Sequence, residues 1–385
     1  MSSRQFYIML AIAVIAMKMQ KLPCLVSGEL GKDAWLLFIA YTIINVILIL
    51  FIFFILKRID VKSVLKFSKN IFFNIFRIIL VLATMLYFLV QSLLVYEHIQ
   101  ALFSNTLFDD LSWSFFSLLL LFAVFFLAHR GIENIALNFE LYTWIIILPM
   151  ILLAIFGATQ TDFSEILPLE TIDFKLVLSK LRMFTCWFGD AFLVLYLAIK
   201  AREIKLSKTL LVYISSMIFM TFMVVVFTGI YGVAAPTAPG LISVISEQSL
   251  LDMSIGRVDW FLILLTEMGA ILTCSVYLYF ANLSLQSIFP KARSFYFKFI
   301  NIAILYILDI FILVDLNAKI QFFCSIMSDI SIVIQAFTLV GLIIIALCNR
   351  GTISHQNSPK ITHNLIKKSM HTKKHMRGAK TWNFS

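Results

Sequence analysis

Charge is scarce in this chain: Asp, Glu, Lys and Arg together make up 14% of its 385 residues, against about 25% in soluble globular domains. With hydrophobic residues at 61%, the polar groups left over cannot cover a folded surface, which excludes a water-soluble fold. Cysteine is scarce as well. Cys24, Cys186, Cys274, Cys324 and Cys348 are the five, all in or beside apolar stretches, without the spacing of a metal site or a disulfide framework. Glycine-rich phosphate loops, metal-ligand spacings and nucleophile–base motifs are missing too, so the sequence carries no sign of an enzyme and implies no cofactor. The amino end lacks a charged region followed by a small-residue cleavage site, so its first apolar segment is expected to be a retained span.

What fills the chain is one apolar run after another. Phe occurs 38 times, in clusters such as Phe51-Ile52-Phe53-Phe54 and Phe122-Ala123-Val124-Phe125-Phe126. A helix needs about 20 mainly apolar residues to cross the hydrocarbon core. That length predicts ten spans, at approximately 6–26, 34–56, 72–96, 113–128, 137–158, 176–199, 209–234, 259–288, 296–314 and 328–348. The expected fold is therefore all-α and polytopic, with residues 1–348 as the transmembrane domain and 349–385 as a basic, disordered tail.

Charge tests this segmentation independently, because cytoplasmic loops hold an excess of Lys and Arg. The amino end, 57–69, 129–140, 200–208, 291–298 and the tail are rich in Lys and Arg, and their acidic residues are only Asp60, Glu133, Glu140 and Glu203. The alternate loops are acidic, and their basic residues are only Lys32, Lys175, Lys180, Arg257 and Lys319. This alternation predicts both termini in the cytoplasm. The tail after Cys348 contains His355, His363, His371 and His375, several Lys and Arg, and no acidic residue. It reads as a solvated positive-inside segment or as an attachment to anionic lipid, worth about 1 kcal/mol per basic residue. Few aromatics interleave its charges, which argues against nucleic acid as a partner.

Several short motifs recur in order along the chain. Ser3-Arg4-Gln5-Phe6 opens the first span, Leu22-Pro23 follows, and Gly31-Lys32-Asp33-Ala34-Trp35-Leu36 opens the second. Then come Arg130-Gly131-Ile132-Glu133, Leu148-Pro149, Asp162-Phe163, Leu167-Pro168, Phe188-Gly189-Asp190 and Arg257-Val258-Asp259. Over residues 3–348 this resembles the spore-germination permease family, the B subunits of nutrient germinant receptors. The family lies within the amino acid–polyamine–organocation transporters. The resemblance implies a five-plus-five inverted repeat in which spans one and six are broken and line a central ligand site. It also implies the A and C receptor subunits as partners, and a place in the inner spore membrane or cell membrane. One departure stands out, since relatives carry glycine where span one unwinds and this chain has Met17-Lys18-Met19-Gln20-Lys21-Leu22-Pro23.

Ionisable groups at bilayer depth are costly and are functional candidates by default. Asp190 in span six is placed either to hold a ligand ammonium or a proton, or to cap the half-helix that follows. Lys18 and Lys21 share a helical face if the turn is regular. One of them is expected to pair with Asp190 or Glu267, or to replace a coupling cation; otherwise both snorkel to an interface. Glu267 in span eight is a ligand group, a proton carrier or the partner of Lys18. Gln20, Phe188 and Gly189 belong to the two interruptions, and Tyr87, Gln91 and Tyr96 form a stripe along span three that either packs or touches ligand. Asp309 in span nine is a weaker candidate, and Arg77 and Arg182 are expected to snorkel. The ligand-binding set so predicted is Lys18, Gln20, Lys21, Tyr87, Phe188, Gly189, Asp190 and Glu267. Three functions compete: a germinant receptor subunit binding a small polar nutrient such as an amino acid, a proton-coupled amino-acid transporter, and a membrane acyl- or glycosyltransferase. The lack of His/Asp pairs in the loops argues against the third.

Overall fold

The computed structural model describes residues 1–19, 21–58, 71–106, 113–165, 174–232, 234, 258–290, 294–309 and 322–348. Among these residues 94% are helical and no strand occurs. Gln20 and the tail 349–385 lie outside the described residues.

Helix α1 (Ser3–Lys18) begins with a capping box. The Ser2 hydroxyl accepts from Gln5 N–H at 3.2 Å, and the Gln5 side chain accepts from Ser2 N–H at 2.9 Å, so two of the orphan donors of the first turn are satisfied. Helix α2 (Leu22–Leu30) has proline in its first turn and stops at Gly31, whose φ of 56° suits glycine. A 3-10 turn, Gly31–Asp33, leads into α3 (Ala34–Arg58). There follow α4 (Ile71–Thr106), α5 (Trp113–Arg130) and α6 (Ile132–Gln160). Helix α7 (Phe174–Phe184) and helix α8 (Asp190–Lys200) are separated by a 3-10 turn, Thr185–Phe188. The remainder comprises α9 (Leu206–Tyr231), α10 (Val258–Ile288), α11 (Ser294–Ile307), a π-helical turn at Phe322–Met327 and α12 (Ser328–Cys348).

Seven described helical stretches are long and apolar enough to cross a membrane, and Leu118–Arg130 and Phe295–Ile307 are shorter apolar helices. Every one of the ten expected segments overlaps a helix, and among the described residues the first and sixth are interrupted within their length. The protein is an all-α, polytopic membrane protein. One compact unit runs from Met1 to Leu339; the other, Val340–Ser385, is described only at the end of α12.

The long helices α4 and α10 run antiparallel through the middle of the first unit. Arg77 Nη2 donates to the Ser287 carbonyl at 2.9 Å near one end, Phe88 meets Phe280 at 5.4 Å, and Ser92 Oγ donates to the Cys274 carbonyl at 3.5 Å further along. Arg77 is thus enclosed by protein near the ends of both helices. A cation on a carbonyl of the last turn of α10 is in a favourable field.

Helix α1 runs antiparallel to α8. Ser3 Oγ donates to the Glu203 carbonyl at 2.5 Å near its start, and Lys18 meets Asp190 at its end. The Met1 ammonium lies 3.6 Å from Glu133, Arg4 lies 3.2 Å from Glu140, and Lys205 N–H donates to Tyr7 Oη at 3.0 Å. The amino end, 129–140 and 200–208 therefore meet at one end of the bundle, as the charge alternation requires. Lys180 with Glu29 at 2.5 Å and Arg182 with Asp329 at 2.6 Å join three of the alternate segments.

Candidate functional site

The two interruptions arise from different local chemistry. Of the described residues after Lys18, Met19 (φ −76°, ψ −20°) and Lys21 (φ −88°, ψ −22°) both stay in the right-handed region. Pro23 lacks the N–H that would have reached the Met19 carbonyl, and its ring crowds that carbonyl, which kinks or breaks a helix. Pro149 is carried inside α6, so Pro23 favours a break without glycine but does not alone dictate it.

Between α7 and α8 the helix tightens into its 3-10 turn, and Gly189 (φ −80°, ψ 25°) joins it to Asp190. That φ is open to any residue, and the reason for glycine is space. A Cβ built on Gly189 would lie 1.6 Å from Tyr87 Oη and 2.9 Å from the ring carbon bearing it.

The backbone groups this turn frees are met by side chains from other helices. Tyr87 and Gln91 of α4 donate to the carbonyls of Gly189 (3.1 Å) and Cys186 (2.9 Å). Asn45 of α3 bridges the junction, donating to the Phe188 carbonyl at 3.0 Å and accepting from Ala191 N–H at 3.2 Å. Tyr41 Oη donates to the Leu181 carbonyl. Ser328, the first residue of α12, accepts from Cys186 N–H at 3.3 Å and donates to the Met183 carbonyl at 2.7 Å. Phe188 packs on α3, stacked on Tyr41 at 3.9 Å and edge-on to Phe38 at 5.3 Å.

Charge joins the two interruptions. Lys18 Nζ lies 2.7 Å from Asp190 Oδ1, both side chains being fully buried. The ammonium also donates to the Val14 carbonyl at 3.3 Å and sits 5.3 Å from the Phe188 ring centroid. Tyr213 of α9 donates to the other carboxylate oxygen at 3.3 Å. Asp190 occupies the first turn of α8, where the helix dipole favours negative charge, and the N-cap residue Gly189 has no side chain to cap with.

Of the residues singled out from sequence, Lys18, Tyr87, Phe188, Gly189 and Asp190 come together here. Lys21 is half-buried at the start of α2 and is not the partner of Asp190. Glu267 is buried on α10 about 15 Å along the helix from Tyr277, at 1.5 Å per residue. Tyr277 reaches the end of α1, its hydroxyl 3.3 Å from the Met17 sulfur, while Gly269, two residues from Glu267, packs against Ile12 nearer the start of α1. In the stripe on α4, Tyr87 and Gln91 face the break, whereas Tyr96 donates to Asp309 at 3.3 Å and Gln100 to the same oxygen at 3.0 Å. Arg182 is exposed and paired bidentately with Asp329. Asn45, Tyr41, Tyr213 and Ser328 were not anticipated. A lone Asn within Ile43-Ile44-Asn45-Val46-Ile47 is the one with a readable signal, since a buried amide in an apolar span must find partners.

No curated protein matches the chain. The spore permease family, described as a spore germination protein, matches residues 1–319, a span that contains both interruptions, the Lys18–Asp190 pair and every helix that supplies it. The chain belongs to the spore germination permease family.

Proposed function

We propose that this permease-type germination protein is the B-type subunit of a nutrient germinant receptor. It would bind a small polar nutrient where the interruptions of spans one and six meet, and signal through the A and C subunits. The observation that carries this reading is the Lys18–Asp190 pair bridging the interruptions, buried at 2.7 Å. Separating such a pair strands two buried charges, which is costly, so any second packing of the helices would have to re-pair them. A ligand biases two packings only through its different affinity for each. Lys18, Gln20, Lys21, Tyr87, Phe188, Gly189, Asp190 and Glu267 remain the proposed ligand-binding set, with Asn45 and Tyr213 added as the groups that hold the break and the carboxylate. The grouping of the basic segments at one bundle end supports both termini in the cytoplasm, or on the core side of an inner spore membrane.

A second reading, a proton-coupled amino-acid transporter, draws on the two carboxylates Asp190 and Glu267 buried in mid-span. Liposomes bearing this subunit alone separate the two. A receptor subunit gives no proton-driven uptake, while spores carrying it with its partners germinate on nutrient and spores lacking it do not; concentrative uptake by the lone subunit would establish the transporter. For orientation, a cysteine at Thr161 is expected to label from outside and one at Ser207 to be protected. Reversed labelling overturns the topology.

A further inference from the structure

Helix α4 follows the second break away from Asp190. Tyr87 donates to the Gly189 carbonyl, Gln91 donates to the Cys186 carbonyl, and His98, two turns further on, meets the Trp187 ring. Trp187 Nε1 donates to His98 Nε2 at 3.4 Å, and the indole also packs on Phe184 at 6.0 Å and Phe323 at 6.3 Å. An indole N–H can only donate. His98 Nε2 must therefore present its lone pair to it, which puts the ring proton on Nδ1 and keeps the imidazole neutral.

That Nδ1–H is left over. His98 is 5% exposed, and its Nδ1 is enclosed by protein with no hydrogen-bond partner among the described residues. Buried N–H groups are nearly always paired, so an orphan marks a place where an acceptor belongs. Tyr87 and Gln91 direct donors to backbone carbonyls of the break, whereas His98 directs none to the chain. Lys21, the last residue before α2, is half-buried and near enough for its charge to act on the imidazole. A cation beside a directional neutral donor favours an oxyanion over a neutral carbonyl. His98 itself adds no charge, because the Trp187 N–H occupies the nitrogen that a second proton would need.

We propose that His98 and Lys21 form a carboxylate-binding site beyond the Lys18–Asp190 pair, on the side of α2, and that the nutrient this chain recognises is a small carboxylate-bearing molecule. The His98 Nδ1–H directs one carboxylate oxygen, Lys21 supplies the charge, and Trp187 is a positioning residue that fixes the tautomer. The inference rests on reading the meeting of the two interruptions as the ligand site, and it requires no amine on the ligand.

The test uses purified full-length protein and two soluble probes, sodium propionate and 1-propanol, with ionic strength held constant by sodium chloride. Propionate should raise the melting midpoint saturably, by about 2 °C or more. The alcohol has the same carbon chain without the charge and should not. The amide of Asn reaches the position of His Nδ1 and the amide of Gln that of Nε2. His98→Asn therefore keeps the donor and should keep the response, whereas His98→Gln keeps a partner for Trp187, loses the donor and should lose the response. Lys21→Met should need roughly tenfold more propionate for the same shift. If the His98 variants fail to accumulate, the unmodified protein and Lys21→Met carry the test. The proposal is overturned if the unmodified protein is indifferent to propionate, in which case the Nδ1–H faces water alone. It is equally overturned if 1-propanol acts as well as propionate, or if His98→Gln or Lys21→Met responds like the unmodified protein. None of these readouts involves germination, so a failure of the receptor reading and a failure of this one are separable.

Discussion

The interruption between α1 and α2 is short and brings a cation to its edge, whereas the one between α7 and α8 spans a whole 3-10 turn and ends on an anion. At the first, the described residues Met19 and Lys21 keep right-handed backbone angles, and Pro23 removes a donor instead of stranding one. The second depends on Tyr41, Asn45, Tyr87, Gln91 and Ser328, supplied by three other helices. Lys18 then ties the first break to the second. The difference suggests that span one supplies the charge and span six the scaffold on which it is read. Substitutions at the second break should accordingly unfold its surroundings, and substitutions at the first should chiefly upset the charge balance.

The strongest way to break this comparison is at Gly189. Adding a methyl group there drives it to 1.6 Å from Tyr87 Oη, far inside contact distance. Overpacking of this kind costs about 1–3 kcal/mol, and Gly189→Ala should lie at or above the upper limit because the Tyr87 hydroxyl must also abandon its carbonyl. Little folded protein is expected after solubilisation. Adding Tyr87→Ala should restore part of it, since the obstructing ring is gone; if the single variant is as abundant as the unmodified protein, the break is not held by Tyr87.

Next in size is the charge. Lys18→Met leaves Asp190 buried beside Tyr213 alone, and loss of one partner from a buried pair typically costs 3–5 kcal/mol. Lys18→Met/Asp190→Leu removes both charges and should be more stable than either single variant. Membrane abundance and denaturant midpoints of the four proteins complete the cycle. Additive losses would mean that the lysine and the aspartate act independently despite lying 2.7 Å apart.

How far the sequence reaches is visible in these same residues. The ten segments, the two interruptions and the pairing of a mid-span lysine with a mid-span carboxylate were readable, because bilayer thickness and burial of charge act on residue type alone. Which lysine would pair was not readable, since Lys18 and Lys21 lie three apart in one segment and share a helical face if the turn is regular. The partners of the second break were hidden for another reason. Helix α3 is apolar on all sides, so its sequence has no polar stripe to say which way Asn45 faces. Tyr213 and Ser328 resemble many other hydroxyl-bearing residues of the chain.

A smaller effect is expected at Asn45. Its amide holds the Phe188 carbonyl and the Ala191 N–H at once, on either side of Gly189. Asn45→Leu leaves both without that partner, and an unsatisfied buried polar group costs about 1–3 kcal/mol. The helix end at Ala191 should fray, so amide hydrogen exchange should quicken at the start of α8 while α1 keeps its protection. Equal loosening of α1 would show that the two breaks are not distinct in their dependence.

The smallest effect lies at the end of α7 remote from the pair. Arg182 and Asp329 are 74% and 42% exposed and bond bidentately at 2.6 Å, joining the helix before the second break to the start of α12. Exposed pairs contribute about 0–1 kcal/mol and weaken with salt, so Arg182→Gln should hardly move the melting midpoint. Its consequence should be local, because only two residues separate Arg182 from the turn that begins at Thr185. The last turn of α7 is expected to exchange its amide hydrogens faster, with α8 unaffected because Lys18 and Tyr213 still hold Asp190 on the far side of Gly189. Asp329→Asn should give the same pattern, and raising the salt concentration should reproduce it in the unmodified protein. If α8 loosens together with α7, the turn transmits strain as a rigid unit, and the scaffold role assigned to Tyr87, Gln91 and Asn45 passes to the outer ion pair.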